Sequence, residues 1–134
     1  MRRAGLLLIL TAWFAAATPL AARADHGVRG VLVLPQDYVK QQLDKGRKFS
    51  TVDMRPADAY RSGHLPQARS IPLAELAARS KEVPTEGLVV LYCDCPRQAA
   101  EDAYHLLREQ GWRNLSVMAE GFAAWAGRGY PIER

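Results

Sequence analysis

The sequence predicts an α/β domain with a mainly parallel central sheet and helices on both faces of that sheet. Residues 88–92, Leu-Val-Val-Leu-Tyr, are a continuous apolar run bounded by turn residues, which is typical of a strand buried on both faces. Short strand-like runs alternate with segments of helical periodicity, as a parallel sheet with crossover helices requires. The length of 134 residues favours a single domain.

Residues 1–24 have the pattern of a secretory signal peptide. They open with two arginines after the initial Met, continue in an apolar run over residues 6–17, and end with small residues at Ala22 and Ala24. This order predicts cleavage after Ala24 and a periplasmic or secreted protein. The alternative is an uncleaved N-terminal membrane anchor, because the apolar run is borderline in length for a membrane span. Only in that case is a membrane expected as a partner.

Removal of this leader would change the charge of the chain. Lys+Arg falls from 18 to 15 because three arginines leave, while Asp+Glu stays at 14, so the formal net charge falls from +4 to +1. The basic character therefore belongs mainly to the leader, and it gives no support for a nucleic-acid partner.

Hydrophobic periodicity, together with the positions of Gly and Pro, marks the elements that follow the leader. Residues 25–34 are expected to be a lead-in with an edge strand at residues 31–33, and residues 35–134 to form the single domain. The other predicted strands lie at residues 49–54, 70–71, 88–92 and 114–118, and the predicted helices at residues 35–45, 56–61, 73–77 and 98–110, with a last helix that carries Phe122 and Trp125.

The two cysteines, Cys93 and Cys95, are separated by one residue. Disulfides in exported proteins normally join distant segments, whereas a bridge between these two closes almost no loop and is expected to be strained. No other Cys or His stands near them at a metal-ligand spacing, so neither a metal nor a cofactor is predicted. The pair therefore indicates reactive thiol chemistry.

Cys93 stands where the central strand ends and a helix is about to begin. In open α/β sheets, ligands bind beyond the carboxyl ends of the strands. A turn that leads into a helix near Gln98 directs main-chain N–H groups and the positive helix end toward the cysteine, which favours the thiolate and lowers the cysteine pKa from about 8.5. Asp94 opposes this effect by its charge and Pro96 by its missing N–H. Arg97 supplies compensating positive charge.

From about Pro35 to Ile132 the chain resembles the rhodanese homology domain, with five motifs in the family's order. The matching segments are residues 51–56 with Asp-Met-Arg, residues 60–68 with Gly-His-Leu-Pro-Gln-Ala, residues 89–93 ending in the cysteine, residues 111–117 with Gly-Trp, and residues 120–125 with Glu-Gly-Phe-Ala-Ala-Trp. The loop departs from the usual pattern, since Pro96 replaces a glycine and Ala99 a Ser or Thr, and its Cys-x-Cys-Pro form is similar to a variant subgroup.

The resemblance implies sulfur transfer. Cys93 takes the place of the nucleophile that accepts sulfane sulfur from a small sulfur-containing anion such as thiosulfate and passes it to a thiol or cyanide. The loop that would hold the sulfur comprises Asp94, Cys95, Pro96, Arg97, Gln98 and Ala99. Asp53 and Arg55 are interpreted as a structural pair at the carboxyl edge of the sheet, with a role in support of the site. Related phosphatases have a longer loop that ends in arginine where this chain has Ala99.

Two other functions remain open from the sequence. Asp94 and Pro96 favour a low-turnover sulfur carrier or binding module, and the two cysteines favour a thiol–disulfide redox protein. Cys95 is either a resolving thiol for Cys93 or a residue that merely lines the loop. His64 is expected to have a structural role in its turn and not to act as a general base.

Overall fold

The computed structural model describes residues 30–134, so the predicted leader at residues 1–24 and residues 25–29 of the lead-in lie outside the described residues. Five strands form one sheet in the order β1-β5-β4-β2-β3, and every pair of neighbours is parallel. The strands are β1 (Val33–Leu34), β2 (Phe49–Asp53), β3 (Arg69–Ser70), β4 (Leu88–Tyr92) and β5 (Leu115–Met118). The prediction of a parallel α/β fold is confirmed.

Helices connect the strands. They are α1 (Gln36–Asp44), α2 (Ala57–Ser62), α3 (Leu76–Arg79), α4 (Arg97–Glu109) and α5 (Phe122–Gly127), and short 3₁₀ turns, Leu73–Glu75 and Ser80–Glu82, flank α3. Helix α4 begins one residue before the predicted position, directly after Pro96. Proline suits the start of a helix because the N–H that it lacks would have no intrahelical acceptor there.

The side chains of β4 alternate between two hydrophobic clusters, one on each face of the sheet. Val89 and Leu91 pack in the cluster that contains Leu107 of α4, and Cys93 continues this alternation on the same face. Val90 and Tyr92 pack in the cluster that contains Val39 of α1 and Trp125 of α5. Burying a large aliphatic or aromatic side chain stabilises the fold by about 1.5–3 kcal/mol. Burial on both faces thus fixes the position of β4 at the middle of the sheet.

The edge strand differs from its prediction. It covers residues 33–34 and not residues 31–33, because its register is set by pairing of Val33 with Val117 and Leu34 with Met118. Leu32, one residue earlier, is 48% exposed. Among residues 30–134, none of the helices has the length and apolar character needed to cross a membrane.

Candidate active site

Cys93 directly follows β4 and begins a loop of residues 93–96 that leads into α4. Its residue surface is 8% exposed, so it lies at the rim of the α4-side cluster and not deep within it. The N–H of Cys95 donates a hydrogen bond to Cys93 Sγ over 3.3 Å. Of the main-chain donors expected around this sulfur, this is the one found within the described part of the chain.

The sulfurs of Cys93 and Cys95 are joined in a disulfide. The two Cα atoms are 5.3 Å apart, which lies within the range of about 4.4–6.8 Å usual for disulfides. Of the two interpretations of Cys95, this contact favours a thiol that faces Cys93. Reduction of this bridge by two electrons gives two adjacent thiols.

Two cavities meet at this loop, and both cysteines line both of them. The larger cavity, of about 640 Å³, is bounded by residues 54–57, Ala59 and residues 72–75, which follow β2 and β3. The smaller one, of about 270 Å³, lies on the side of α4 and β5. The wall of the larger cavity is mostly apolar, although Arg55, Glu75 and Asp94 contribute charges.

The Asp94 side chain turns from the cysteines toward α5. Its Oδ1 accepts a hydrogen bond of 2.9 Å from the N–H of Ala123 in the first turn of that helix, and its Oδ2 lies 3.8 Å from Nη1 of Arg55. Both contacts compensate the negative charge of Asp94. The repulsion of anionic donors expected from the sequence is correspondingly reduced.

Gly121 permits this contact between the loop and α5. A Cβ at residue 121 would lie 2.5 Å from the carbonyl oxygen of Cys93 and would also collide with Oδ1 of Asp94. The backbone before α5 can therefore approach the cysteine loop only without a side chain at this residue.

Asp53 and Arg55 form the expected pair. Arg55 Nη2 lies 2.6 Å from Asp53 Oδ2, Arg55 Nε donates to Asp53 Oδ1 over 3.0 Å, and Nη2 also donates to the Gly63 carbonyl over 2.6 Å. Asp53 is 0% and Arg55 7% exposed. Burial by itself lowers the pKa of Arg55, but the hydrogen bonds to Asp53 and the negative charge of Asp53 have the larger effect and raise this pKa. Because Arg55 also lines the larger cavity, the pair supports a wall of the site.

Two aromatic rings complete the surroundings of this pair. The Tyr92 hydroxyl donates to Asp53 Oδ2 over 2.7 Å and accepts from the N–H of Leu65 over 3.1 Å. Burial, reinforced by the negative charge of Asp53, raises the pKa of Tyr92. The Phe122 ring lies 3.8 Å below the guanidinium carbon of Arg55 in a cation–π contact. The polar and aromatic contacts together hold Arg55 in one orientation.

The residues of the predicted loop that belong to α4 lie partly at this site and partly away from it. Arg97 Nε donates to Glu101 over 2.7 Å and lines the smaller cavity beside Cys93. Gln98 donates to Asp102 over 2.8 Å along the exposed surface of α4. Ala99 lies in a separate groove between α3 and α4. Thus Asp94, Cys95 and Arg97 line a cavity at Cys93, whereas Pro96, Gln98 and Ala99 line neither cavity.

His64 has the contacts of a structural residue. Its Nδ1 lies 3.0 Å from the Tyr60 carbonyl oxygen, its ring stacks on the Tyr60 ring at 3.8 Å, and its backbone exchanges hydrogen bonds with Glu133. It lines neither cavity at Cys93.

Apart from Arg55, the segments that follow β2 and β3 and form walls of the larger cavity were not predicted as part of the site. Residues 54–57 and 72–75 follow two strands that end at the same edge of the sheet as β4. Since the carboxyl ends of parallel strands meet at one edge, this topology was the signal that could have identified both segments.

Comparison with known proteins places this architecture in a family. Residues 35–128 match the model of the rhodanese-like domain. The chain belongs to the rhodanese-like domain family.

Relatives of this rhodanese-like domain include a transcriptional regulator and a sulfurtransferase. The HTH-type transcriptional regulator Rv0324 of Mycobacterium tuberculosis is 34% identical over 120 residues, which cover 82% of this chain and 51% of the regulator. The thiosulfate sulfurtransferase GlpE of Coxiella burnetii is 30% identical over 84 residues, 63% of this chain and 78% of that protein. The match to this chain thus spans about half the length of the regulator Rv0324.

A solved structure agrees with the fold. The crystal structure of the Alr3790 protein from Anabaena sp. aligns with a TM-score of 0.66 and 26% identity over 75% of this chain and 81% of that one.

Proposed function

We propose that this rhodanese-like domain is a sulfurtransferase that carries sulfane sulfur as a persulfide on Cys93. The observation that carries the proposal is the position of Cys93, at the carboxyl end of the central strand, beside α4 and at the base of a cavity of about 640 Å³. A donor such as thiosulfate fits this position because the start of α4 contributes positive potential where an anion would lie.

The transfer takes place in two displacements on sulfur, after reduction of the disulfide. The Cys93 thiolate attacks the outer sulfur of thiosulfate, the sulfur–sulfur bond of the donor breaks, and sulfite leaves with the electron pair. An acceptor thiolate or cyanide then attacks the outer sulfur of the persulfide, and the Cys93 thiolate is released. Thiolates, not thiols, are the attacking species in both steps.

Cys93→Ser provides the direct test. Thiosulfate and cyanide should give thiocyanate with the wild-type protein, and the substitution should reduce this product to the uncatalysed background because it removes the nucleophile. Cys95→Ser, which keeps Cys93, should take up one sulfur atom from thiosulfate, visible by intact-protein mass spectrometry. If Cys95→Ser takes up no sulfur from thiosulfate or from a small organic persulfide, the proposal is wrong.

A second candidate function is thiol–disulfide exchange, which the Cys93–Cys95 disulfide favours. This function requires no sulfur donor. Equilibration with dithiothreitol buffers, followed by alkylation and mass spectrometry, should then give a disulfide fraction that depends on the buffer. A pair that stays fully reduced in every buffer would remove this candidate.

We also propose that the protein is exported, with the leader cut after Ala24 and the domain released to the periplasm or the medium. The basic start, apolar run and small residues of the leader support this location. N-terminal sequencing of the protein from the periplasmic fraction should begin at Asp25, whereas a retained leader in the membrane fraction would support the anchor.

A further inference from the structure

We propose that Cys95 is a resolving thiol that acts as an internal acceptor, so that the loaded protein releases hydrosulfide and closes the Cys93–Cys95 disulfide. This inference rests on the proposed function, because Cys93 must first carry a persulfide. It adds a further activity, the reductive release of sulfide from a sulfane donor.

The geometry of the loop carries this inference. The Cα atoms of Cys93 and Cys95 are 5.3 Å apart, and the N–H of Cys95 donates to Cys93 Sγ over 3.3 Å, so the loop brings the two side chains together. Well-oriented intramolecular groups react as if present at effective concentrations of about 10⁵–10⁸ M. Once both cysteines are reduced, Cys95 therefore competes effectively with any external thiol for the persulfide on Cys93.

The reaction balances without an added oxidant. The Cys95 thiolate attacks Sγ of Cys93, the inner sulfur of the persulfide, and a bond forms between the two cysteine sulfurs. The bond from Cys93 Sγ to the outer sulfur breaks, and the outer sulfur leaves with the electron pair and a proton as hydrosulfide. The outer sulfur is reduced to sulfide, and the two cysteines end as the disulfide seen in the structure.

A further cycle requires a dithiol reductant. Both cysteines line the larger cavity, so a thiol can enter there and attack the bridge. One thiol of the reductant forms a mixed disulfide, its second thiol displaces the cysteine, and the domain regains two thiols while the reductant becomes a disulfide. The step that regenerates the two thiols after sulfide release is therefore dithiol–disulfide exchange with a partner that has two thiols.

A single-turnover experiment tests this role of Cys95. The purified protein is reduced with a phosphine, freed of reductant without oxygen, and treated with thiosulfate in the absence of any other thiol. The wild-type protein should release sulfite and sulfide in equal amounts and lose two hydrogens in mass as the disulfide closes. Cys95→Ser should release sulfite without sulfide and gain one sulfur atom in mass.

Three results would overturn the inference. A wild-type protein that keeps the added sulfur, with no sulfide and no disulfide, would leave the proposed function intact and exclude Cys95 as resolving thiol. Sulfide release from Cys95→Ser at the wild-type rate would also exclude Cys95 as the resolving thiol and leave the proposed function intact. A Cys95→Ser protein that takes up no sulfur would overturn the proposed function together with this inference.

Discussion

Among individual residues, Asp53 and Arg55 form an ion pair of 2.6 Å that is almost completely buried. A buried ion pair is not necessarily more stable than an apolar replacement, but removal of one partner leaves an uncompensated charge in a medium that solvates it poorly. Arg55 therefore has a stabilising role through Asp53 and a positional role through the cavity that it lines.

Arg55→Ala should lower the free energy of unfolding by about 3–5 kcal/mol, because Asp53 is then left buried without its counter-ion. Urea unfolding followed by circular dichroism gives this difference. The double variant Asp53→Asn/Arg55→Ala should recover part of the loss, since the orphaned charge is gone. A loss below about 1 kcal/mol for Arg55→Ala, as for an exposed pair, would contradict this account.

At the scale of the element, the cysteine loop and α5 are held together by contacts at two residues. Asp94 accepts a hydrogen bond from the first turn of α5, and Gly121 lets the backbone before α5 approach the carbonyl of Cys93. The position of the nucleophile thus depends on a helix that follows it in the chain by more than twenty residues.

Gly121→Ala should displace the cysteine loop, because the added methyl group meets backbone and side-chain atoms of Cys93 and Asp94. Overpacking of this kind costs about 1–3 kcal/mol of stability. A misplaced reacting group slows the reaction by on the order of 10²-fold, so we expect a loss of that size in sulfite release from thiosulfate.

Gly127→Ala is the matched control for that prediction, since it changes the glycine at the other end of α5, whose added Cβ would meet no atom within 4 Å. It should leave sulfite release unchanged and alter stability by no more than about 1 kcal/mol, in the stabilising direction. Equal losses of sulfite release in both variants would indicate a general weakening of α5 and not a local collision.

Asp94→Ala should destabilise the protein by about 0.5–2 kcal/mol, the usual effect of losing a side-chain acceptor at a helix start. Asp94→Asn keeps an oxygen acceptor for the N–H of Ala123 and should cost less. Thermal unfolding of the two variants measures the difference in stability. Equal losses of stability in both variants would show that Asp94 acts through its charge near Arg55 and not through the hydrogen bond to Ala123.

At the scale of the whole molecule, Tyr92 links the stability of the fold to alkaline pH. Its pKa is raised in the folded protein above the value of about 10 for an unfolded chain. The unfolded state therefore loses its proton first, so the contribution of Tyr92 is complete below about pH 10 and declines as the pH rises above that value.

Tyr92→Phe should lower the free energy of unfolding at neutral pH by about 1–3 kcal/mol, because the buried N–H of Leu65 loses its acceptor and Oδ2 of Asp53 loses one of its donors. Above about pH 10 its stability should decline less steeply than that of the wild type. Urea unfolding at a series of pH values measures both effects. The exposed Tyr38→Phe serves as control, and identical alkaline slopes for Tyr92→Phe and the wild type would contradict the assignment.

Much of the fold and the centre of the site followed from the sequence alone. The apolar run at residues 88–92 predicted a central strand, and the loop after it placed Cys93 at the carboxyl end of that strand. Both could be predicted because strands, turns and helix starts are local properties of the chain. The pairing of Asp53 with Arg55 and the proximity of Cys95 to Cys93 are equally local, since each pair is separated by one residue.

The distant segments that surround Cys93 are brought to it by the packing of the folded chain. The contact of Asp94 with α5, the Phe122 ring against Arg55, the bond from Tyr92 to Asp53 and the cavity walls at residues 54–57 and 72–75 all join parts of the chain that are far apart in sequence. Hydrophobic periodicity indicates which face of a helix or strand is buried, but it does not indicate which other helix or strand packs against that face. That choice depends on how the crossover connections pack the whole chain, and it determines the charge and shape around the reactive sulfur.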